Sequence, residues 1–172
     1  MSLTANIEFI YLHNARLRYL ELEFLLNKGV VYKSQIVDFD QYTINIKVED
    51  FTYNIVKRDL QCVRPVKNVL VVDIDYISKT YYLAGVNSRV RHRRPPIQDI
   101  FLNEVRKYGL SVELLMKDLK VYRGKILGFD NFTILLNIDD IQHMFYKNNI
   151  LEVYPLEQKF EIIKYVEEKS NG

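Results

Sequence analysis

The chain writes one strand twice. FDQYTINI, from Phe39 to Ile46, returns ninety residues later as FDNFTILL, from Phe129 to Leu136. Phe39, Asp40, Thr43 and Ile44 recur as Phe129, Asp130, Thr133 and Ile134, while Gln41 becomes Asn131 and Tyr42 becomes Phe132. The register also aligns Leu12 with Leu102, Arg16 with Arg106, Glu23 with Glu113, Ile36 with Ile126, Lys57 with Lys147 and Pro65 with Pro155. A constant offset of ninety, without gaps over more than fifty residues, argues for duplication.

Each copy reads as a helix followed by short strands. Ile97, Phe101, Val105 and Tyr108 make an apolar stripe at helical spacing; Pro96 suits the first turn and Gly109 the stop. Ile7, Tyr11 and Ala15 are the weaker equivalent in the first copy. Tyr42, Ile44, Ile46 and Val48 then alternate with polar residues, and Phe132, Ile134, Leu136 and Ile138 repeat the alternation. About five strands fit between residues 20 and 65 and again between 110 and 155, so the expectation is mainly β with α, two small curled barrels.

Hydrophobic residues make up 48% of the 172, enough for real cores, and scarce Gly and Pro argue against disorder. No apolar run approaches about 18 residues, so no membrane span is expected. The N-terminus shows no signal-peptide pattern, and Cys62 alone cannot form an internal disulfide, which points to a cytoplasmic protein. Net charge is only +2, but the excess is local: Lys and Arg outnumber Asp and Glu by 6 to 2 in residues 67–95, mostly through Arg89, Arg91, Arg93 and Arg94. Such a cluster suits a polyanion, or is a solvated basic linker. His13, His92 and His143 lack ligand spacing, and no cysteine pair, Gly-rich phosphate loop or nucleophile–base pair stands out. Hence no metal, cofactor or enzymatic activity is expected.

With both copies laid out, QDIFLNEVRK, GKILGFDNFTILL and MFYKNNILEVYP, in that order over residues 97–155, closely resemble Hfq, the bacterial Sm-like RNA-chaperone family. SQIVDFDQYTINI and VKRDLQCVRP carry a weaker resemblance in the first copy. The resemblance implies two tandem Sm-like folds, each an N-terminal helix plus a bent five-stranded antiparallel sheet. The expected limits are 6–66 and 96–156, with an apolar then basic connector at 67–95 and a short helix or tail at 157–172. Rings of this family contain six folds, so a two-fold chain would close one as a homotrimer.

The resemblance also implies sites. Single-stranded uridine-rich RNA would bind around the pore on the helix-bearing face, bases stacking on an aromatic ring while amides read their edges. Gln98, Asn131, Phe132, Tyr146 and Lys147 match these positions in the second copy; Gln41, Tyr42 and Lys57 match in the first. Departures are Asn148 and Arg58 for the motif's His, Val56 for its Tyr, and Glu8 for the helical amide, where a carboxylate would repel phosphate. On the opposite face the adenine-stacking Tyr is Leu25 and Leu115, and the tight-turn Gly is kept as Gly29 but is Leu119 in the second copy. Arg16, Arg106 and Lys107 match a basic rim. Two functions follow: an RNA-binding chaperone in post-transcriptional regulation, or a ring serving as a protein-interaction scaffold.

Overall fold

The computed structural model describes residues 6–77, 102–103 and 105–156, and every structural statement below concerns these. Ile97, Gln98, Phe101, the arginines at 91, 93 and 94, and the expected C-terminal helix lie outside them. The fold is mainly β with few helices, as expected.

The first unit opens with helix α1 (Ile7–Leu17), whose N-terminus Asn6 caps by accepting the Phe9 N–H at 2.8 Å. Ile7, Tyr11, Leu12 and Ala15 form its buried stripe. Strands β1 (Leu22–Leu26), β2 (Val31–Ser34), β3 (Ile36–Phe39), β4 (Thr43–Val48), β5 (Phe51–Val56) and β6 (Leu60–Pro65) follow. After a short helix α2 (Ile74–Ile77), the second unit has helical residues at 102–103 and 105–107. Its strands are β7 (Ser111–Met116), β8 (Val121–Phe129), β9 (Thr133–Ile138), β10 (Ile141–Tyr146) and β11 (Ile150–Pro155). Gly109 ends the second helix at φ +63°, with Leu110 N donating to Val105 O at 3.0 Å. Tyr108 departs from the expected apolar stripe: it is 65% exposed, and Leu102 and Val105 carry the buried face. Its ring lies beyond the last helical turn, with the Lys107 ammonium 5.5 Å from its centroid.

The units differ at one strand. The second has five strands, whereas the first has six, because its second strand breaks at Gln35. The sequence differs one residue earlier. Gly124 crosses so close to β9 that a Cβ would collide with the Asn137 carbonyl. Ninety residues before Gly124 stands Ser34, and before Asn137 stands Lys47. Ser34 Oγ donates to the Lys47 carbonyl beside the break, Lys47 N–H donates to Gln35 O at 3.2 Å, and β3-β4-β5 form a three-stranded sheet of their own.

The eight-stranded sheet runs β11-β7-β8-β9-β10-β6-β1-β2 and so joins the two units. The seam is β10 against β6, antiparallel, with Met144 opposite Val63 and Phe145 opposite Cys62. Because side chains alternate across a sheet, the seam feeds two cores. Met144, Tyr146 and Leu135 pack with α1, β4 and β5 of the first unit; Leu25 and Cys62 pack among Val112, Leu114, Ile134 and Phe145 of the second. Neither core is complete without the other copy.

The start of the connector closes over this seam. Val71 and Val72 are buried in the first core. Gln142 Oε1 accepts from the N–H groups of both, at 3.1 and 2.8 Å, and its Nε2 donates to Val72 O at 2.8 Å. Asn14 Nδ2 donates to Val71 O at 2.9 Å, and Arg18 donates to Leu70 O.

Candidate nucleic-acid interface

FDQY and FDNF build the same device twice. Asp40 Oδ1 accepts the N–H groups of Tyr42 and Thr43, both at 2.8 Å; Asp130 Oδ1 accepts those of Phe132 and Thr133 at 2.8 and 2.7 Å. These turns free the ring two positions on from the sheet. The two backbone bonds from Tyr42 and Thr43 also hold the Asp40 carboxyl below its ordinary pKa. Tyr42 and Phe132 accordingly stand 69% and 63% exposed, large aromatic faces turned to solvent beside the seam.

Both devices open onto one cleft of about 900 Å³. It gathers Gln41, Tyr42 and Lys57 from the first unit with Asn131, Phe132, Tyr146 and Lys147 from the second: seven of the eight expected base-binding residues. The eighth, Gln98, is outside the described residues. Glu8 and Phe9 of α1, together with Val56, Arg58 and Asn148, also line it. The turns Lys57–Asp59 and Lys147–Asn149 lie side by side, with Asn149 Nδ2 donating to Arg58 O at 2.9 Å and to Leu60 O at 2.8 Å.

The lysines are placed by aromatic rings. Lys57 Nζ is 5.8 Å from the centroid of Phe39, and Lys147 Nζ is 5.3 Å from that of Phe129. Glu8 does not stand as a bare carboxylate: Lys57 Nζ donates to its Oε1 at 2.7 Å, with only 9% and 13% of the two side chains exposed. The repulsion of phosphate expected at Glu8 is thereby offset by a cation at contact. Asp130 Oδ2 accepts the Glu8 N–H at 2.9 Å, so the second unit caps the first unit's helix across the seam. The hydroxyl of Tyr146 is buried beside the Glu8 carboxylate. Burial, and then the nearby Glu8 charge, push its pKa well up.

The basic-rim residues are elsewhere. Arg16 is exposed at the end of α1; Arg106 Nη2 donates to Asn103 Oδ1 at 2.9 Å, and Lys107 is exposed. None lines the cleft. Leu25 is 6% exposed inside the seam core and Leu115 is half-buried, so neither lends a flat face to the opposite surface. Among the described residues no group of three or more His, Cys, Asp or Glu could hold a metal, and no helix is long and apolar enough to cross a membrane.

The Glu8–Lys57 pair and the Asp130 cap escaped the sequence reading. The first joins residues 49 apart and the second residues 122 apart. The one available signal was that Glu8 and Lys57 both align with site positions of the second copy.

Comparison with known proteins gives a consistent result. The profile of the family described as Hfq protein matches residues 97–160. The RNA-binding protein Hfq of Geobacillus kaustophilus is 44% identical over 59 residues, 34% of this chain and 79% of that protein. That of Ruminiclostridium cellulolyticum is 40% identical over 60 residues, 35% of this chain and 75% of that protein. That of Carboxydothermus hydrogenoformans is 41% identical over 59 residues, 34% and 69% respectively.

Proposed function

The chain belongs to the Hfq family, and from that premise we propose that it binds single-stranded, uridine-rich RNA in the cleft at its seam, as a chaperone in post-transcriptional regulation. One observation carries this reading: two exposed aromatic faces, Tyr42 and Phe132, share a cleft with Lys57 and Lys147. Rings of this kind stack bases regardless of sequence context, and cations beside them meet the backbone. The named relatives are RNA-binding proteins. Uridine is favoured over adenine because Leu25 is buried in the seam and Leu115 offers no π face.

The two units, 6–66 and 96–156, read as a tandem duplication, with 67–95 as connector and 157–172 as tail. Their like order of strands and the constant ninety-residue register support this. The chain forms a homotrimer that closes a six-fold ring. The fourth strand of the second unit (β10) already pairs with the last strand of the first (β6), while the corresponding strands β5 and β11 each lie at an edge of their sheet. Pairing β5 of one chain with β11 of the next repeats the seam and covers both of these edges. By the ninety-residue offset, Asn54 would then face Val153 of the neighbouring copy, as Met144 faces Val63 within the chain. Gln98, outside the described residues, belongs by the same offset to the clefts so created, and Arg91, Arg93 and Arg94 contribute phosphate contacts.

Anisotropy titrations of labelled oligo-U and oligo-A at two salt concentrations, on samples whose mass is known from light scattering, test this. The expected result is a three-chain particle that binds oligo-U more tightly. Equal affinities would end the uridine reading; no binding at either salt would leave the protein-scaffold alternative.

A further inference from the structure

We infer that, within a uridine-rich strand, the cleft inside each chain prefers guanine as the base stacked on Phe132, selected by the donor–acceptor pattern of the Lys57–Glu8 pair. The inference rests on the single-stranded RNA reading above and deepens it.

Lys57 Nζ and Glu8 Oε1 are 2.7 Å apart, the pair is largely shielded, and both residues line the cleft that holds the exposed ring of Phe132. The other carboxylates at this end are engaged by backbone: Asp40 by Tyr42 and Thr43, Asp130 by Phe132, Thr133 and Glu8. Among the described residues no backbone N–H donates to the Glu8 carboxylate, whose polar neighbours are Lys57 Nζ and the Tyr146 hydroxyl. A carboxylate only accepts and an ammonium only donates. Read across the pair, the protein therefore offers one donor followed by two acceptors.

A base stacked on Phe132 must answer with one acceptor followed by two donors. Guanine does so: O6 accepts from Lys57 while N1–H and N2–H donate to the two oxygens of Glu8. Uracil presents O4, N3–H and O2, so its second carbonyl faces a carboxylate oxygen. Adenine and cytosine each satisfy one donor and one acceptor and leave the second oxygen unmatched. The same logic explains why an amide suits uracil better, since an amide can donate as well as accept. Ninety residues on from Glu8 the sequence has such an amide, Gln98. The buried hydroxyl of Tyr146 lies beside Glu8, so the inner end of the cleft is polar on the Glu8 side.

The test uses the full chain and labelled hexamers UUUUUU, UGUGUG, UAUAUA and UIUIUI, the last with inosine, which lacks the guanine N2 amine. UGUGUG should bind about tenfold tighter than UUUUUU, as one added hydrogen bond to a charged group is worth about that factor. UAUAUA should show no such gain, and UIUIUI should lose most of it. Glu8→Gln should bring UUUUUU level with UGUGUG or ahead of it. The inference is overturned if wild-type chains bind UGUGUG no tighter than UUUUUU, or if inosine replaces guanine without loss; both results are independent of any variant's folding. Should UUUUUU binding still depend on Phe132 in those cases, the uridine reading stands alone. Should it be indifferent to Phe132→Ala, both fall.

Discussion

Gln142 grips Val72 with both ends of its amide, Oε1 accepting the Val72 N–H at 2.8 Å and Nε2 donating to the Val72 carbonyl at 2.8 Å. A side chain here does what a strand neighbour does elsewhere. It fastens the connector to the second unit, while Asn14 and Arg18 fasten it to the first. The residue ninety positions earlier is Thr52, too short for this grip. The seam inside the chain is therefore locked by a clasp that no repeat symmetry supplies to the outer edges. Gln142→Ala strands the N–H groups of Val71 and Val72 and the carbonyl of Val72 in a buried place. It should cost about 2–4 kcal/mol in urea unfolding, since each orphaned group costs about 1–3 kcal/mol. A loss below about 1 kcal/mol would mean that water or a neighbour replaces the clasp.

The outer edge is open to a different test. Glu49 and Asp50 join β4 to β5, and Val48 faces Phe51. In a two-residue hairpin the flanking pair exchanges both hydrogen bonds and the bonded pairs alternate from there. Thr52, Asn54 and Val56 then turn their backbone groups away from β4. Asn54→Pro removes one outward N–H and the exposed Asn54 Nδ2–Asn45 Oδ1 bond, while leaving the hairpin's backbone ladder intact. Light scattering should find single chains in place of trimers, with thermal stability of the chain nearly unchanged. Trimers of undiminished stability would show that β5 is not the assembling edge.

Of the side chains held in the left-handed region that favours glycine, two stand where the other unit has glycine: Tyr19 at φ +52° and Leu119 at φ +72°. Their counterparts in the other unit are Gly109 and Gly29, at φ +63° and +77°. Both side chains are over 70% exposed, so little packing is lost on removing them. Tyr19→Gly and Leu119→Gly should each stabilise by about 1 kcal/mol, the cost of a left-handed residue with a Cβ. Calorimetry of the single variants checks this, and a lowered melting temperature would count against it.

His143 gives stability an acid limb. Its ring is 5% exposed, Nδ1 lies 2.9 Å from the Ile141 carbonyl, and the ring stacks near Phe145 with centroids 6.1 Å apart. Burial lowers its pKa below the ordinary 6.5. The unfolded chain therefore takes up the proton first. The stabilisation is complete above about pH 6.5 and is lost as pH falls from there through the folded-state value. Melting temperatures between pH 7.5 and 5 should decline in the wild type and decline less in His143→Gln. Parallel curves would assign the acid limb to another group.

What the sequence revealed and what it hid divide along contact range. The alternation in Tyr42-Thr43-Ile44-Asn45-Ile46 located β4, because half-burial of a strand is written locally. Gly109 announced a helix end for the same reason. The aromatic and lysine positions in the cleft were legible through the repeat and the resemblance it exposed. Hidden were the effects of one copy on the other. Ser34 reads as an ordinary strand residue until its counterpart Gly124 is seen to cross β9 without room for a Cβ. Glu8 reads as a repelling charge until Lys57 is found against it. Leu25 reads as a lost surface contact, yet it fills the second unit's core.

The two exposed rings separate base stacking from assembly. Phe132 stands in the cleft of its own chain beside Lys57 and Glu8, with Tyr146 behind it. Tyr42 lines the same cleft, but the Val56 that follows its hairpin offers no aromatic or hydroxyl where the second unit has Tyr146. Phe132→Ala should therefore lose roughly 1–3 kcal/mol of binding energy per base stacked on it, and Tyr42→Ala less. Each ring is more than 60% exposed, so truncation removes little buried surface, and the folded chain should keep its stability within about 0.5 kcal/mol. Removing charge from Arg91, Arg93 and Arg94 should act differently if, as proposed, they meet phosphate: all sequences weaken alike and the dependence on salt flattens. Titrations of oligo-U against the three variants, each at unchanged oligomeric mass, distinguish these effects. If Tyr42→Ala weakened oligo-U as much as Phe132→Ala, the two units would share the work equally, and the difference between Val56 and Tyr146 would carry no meaning for RNA.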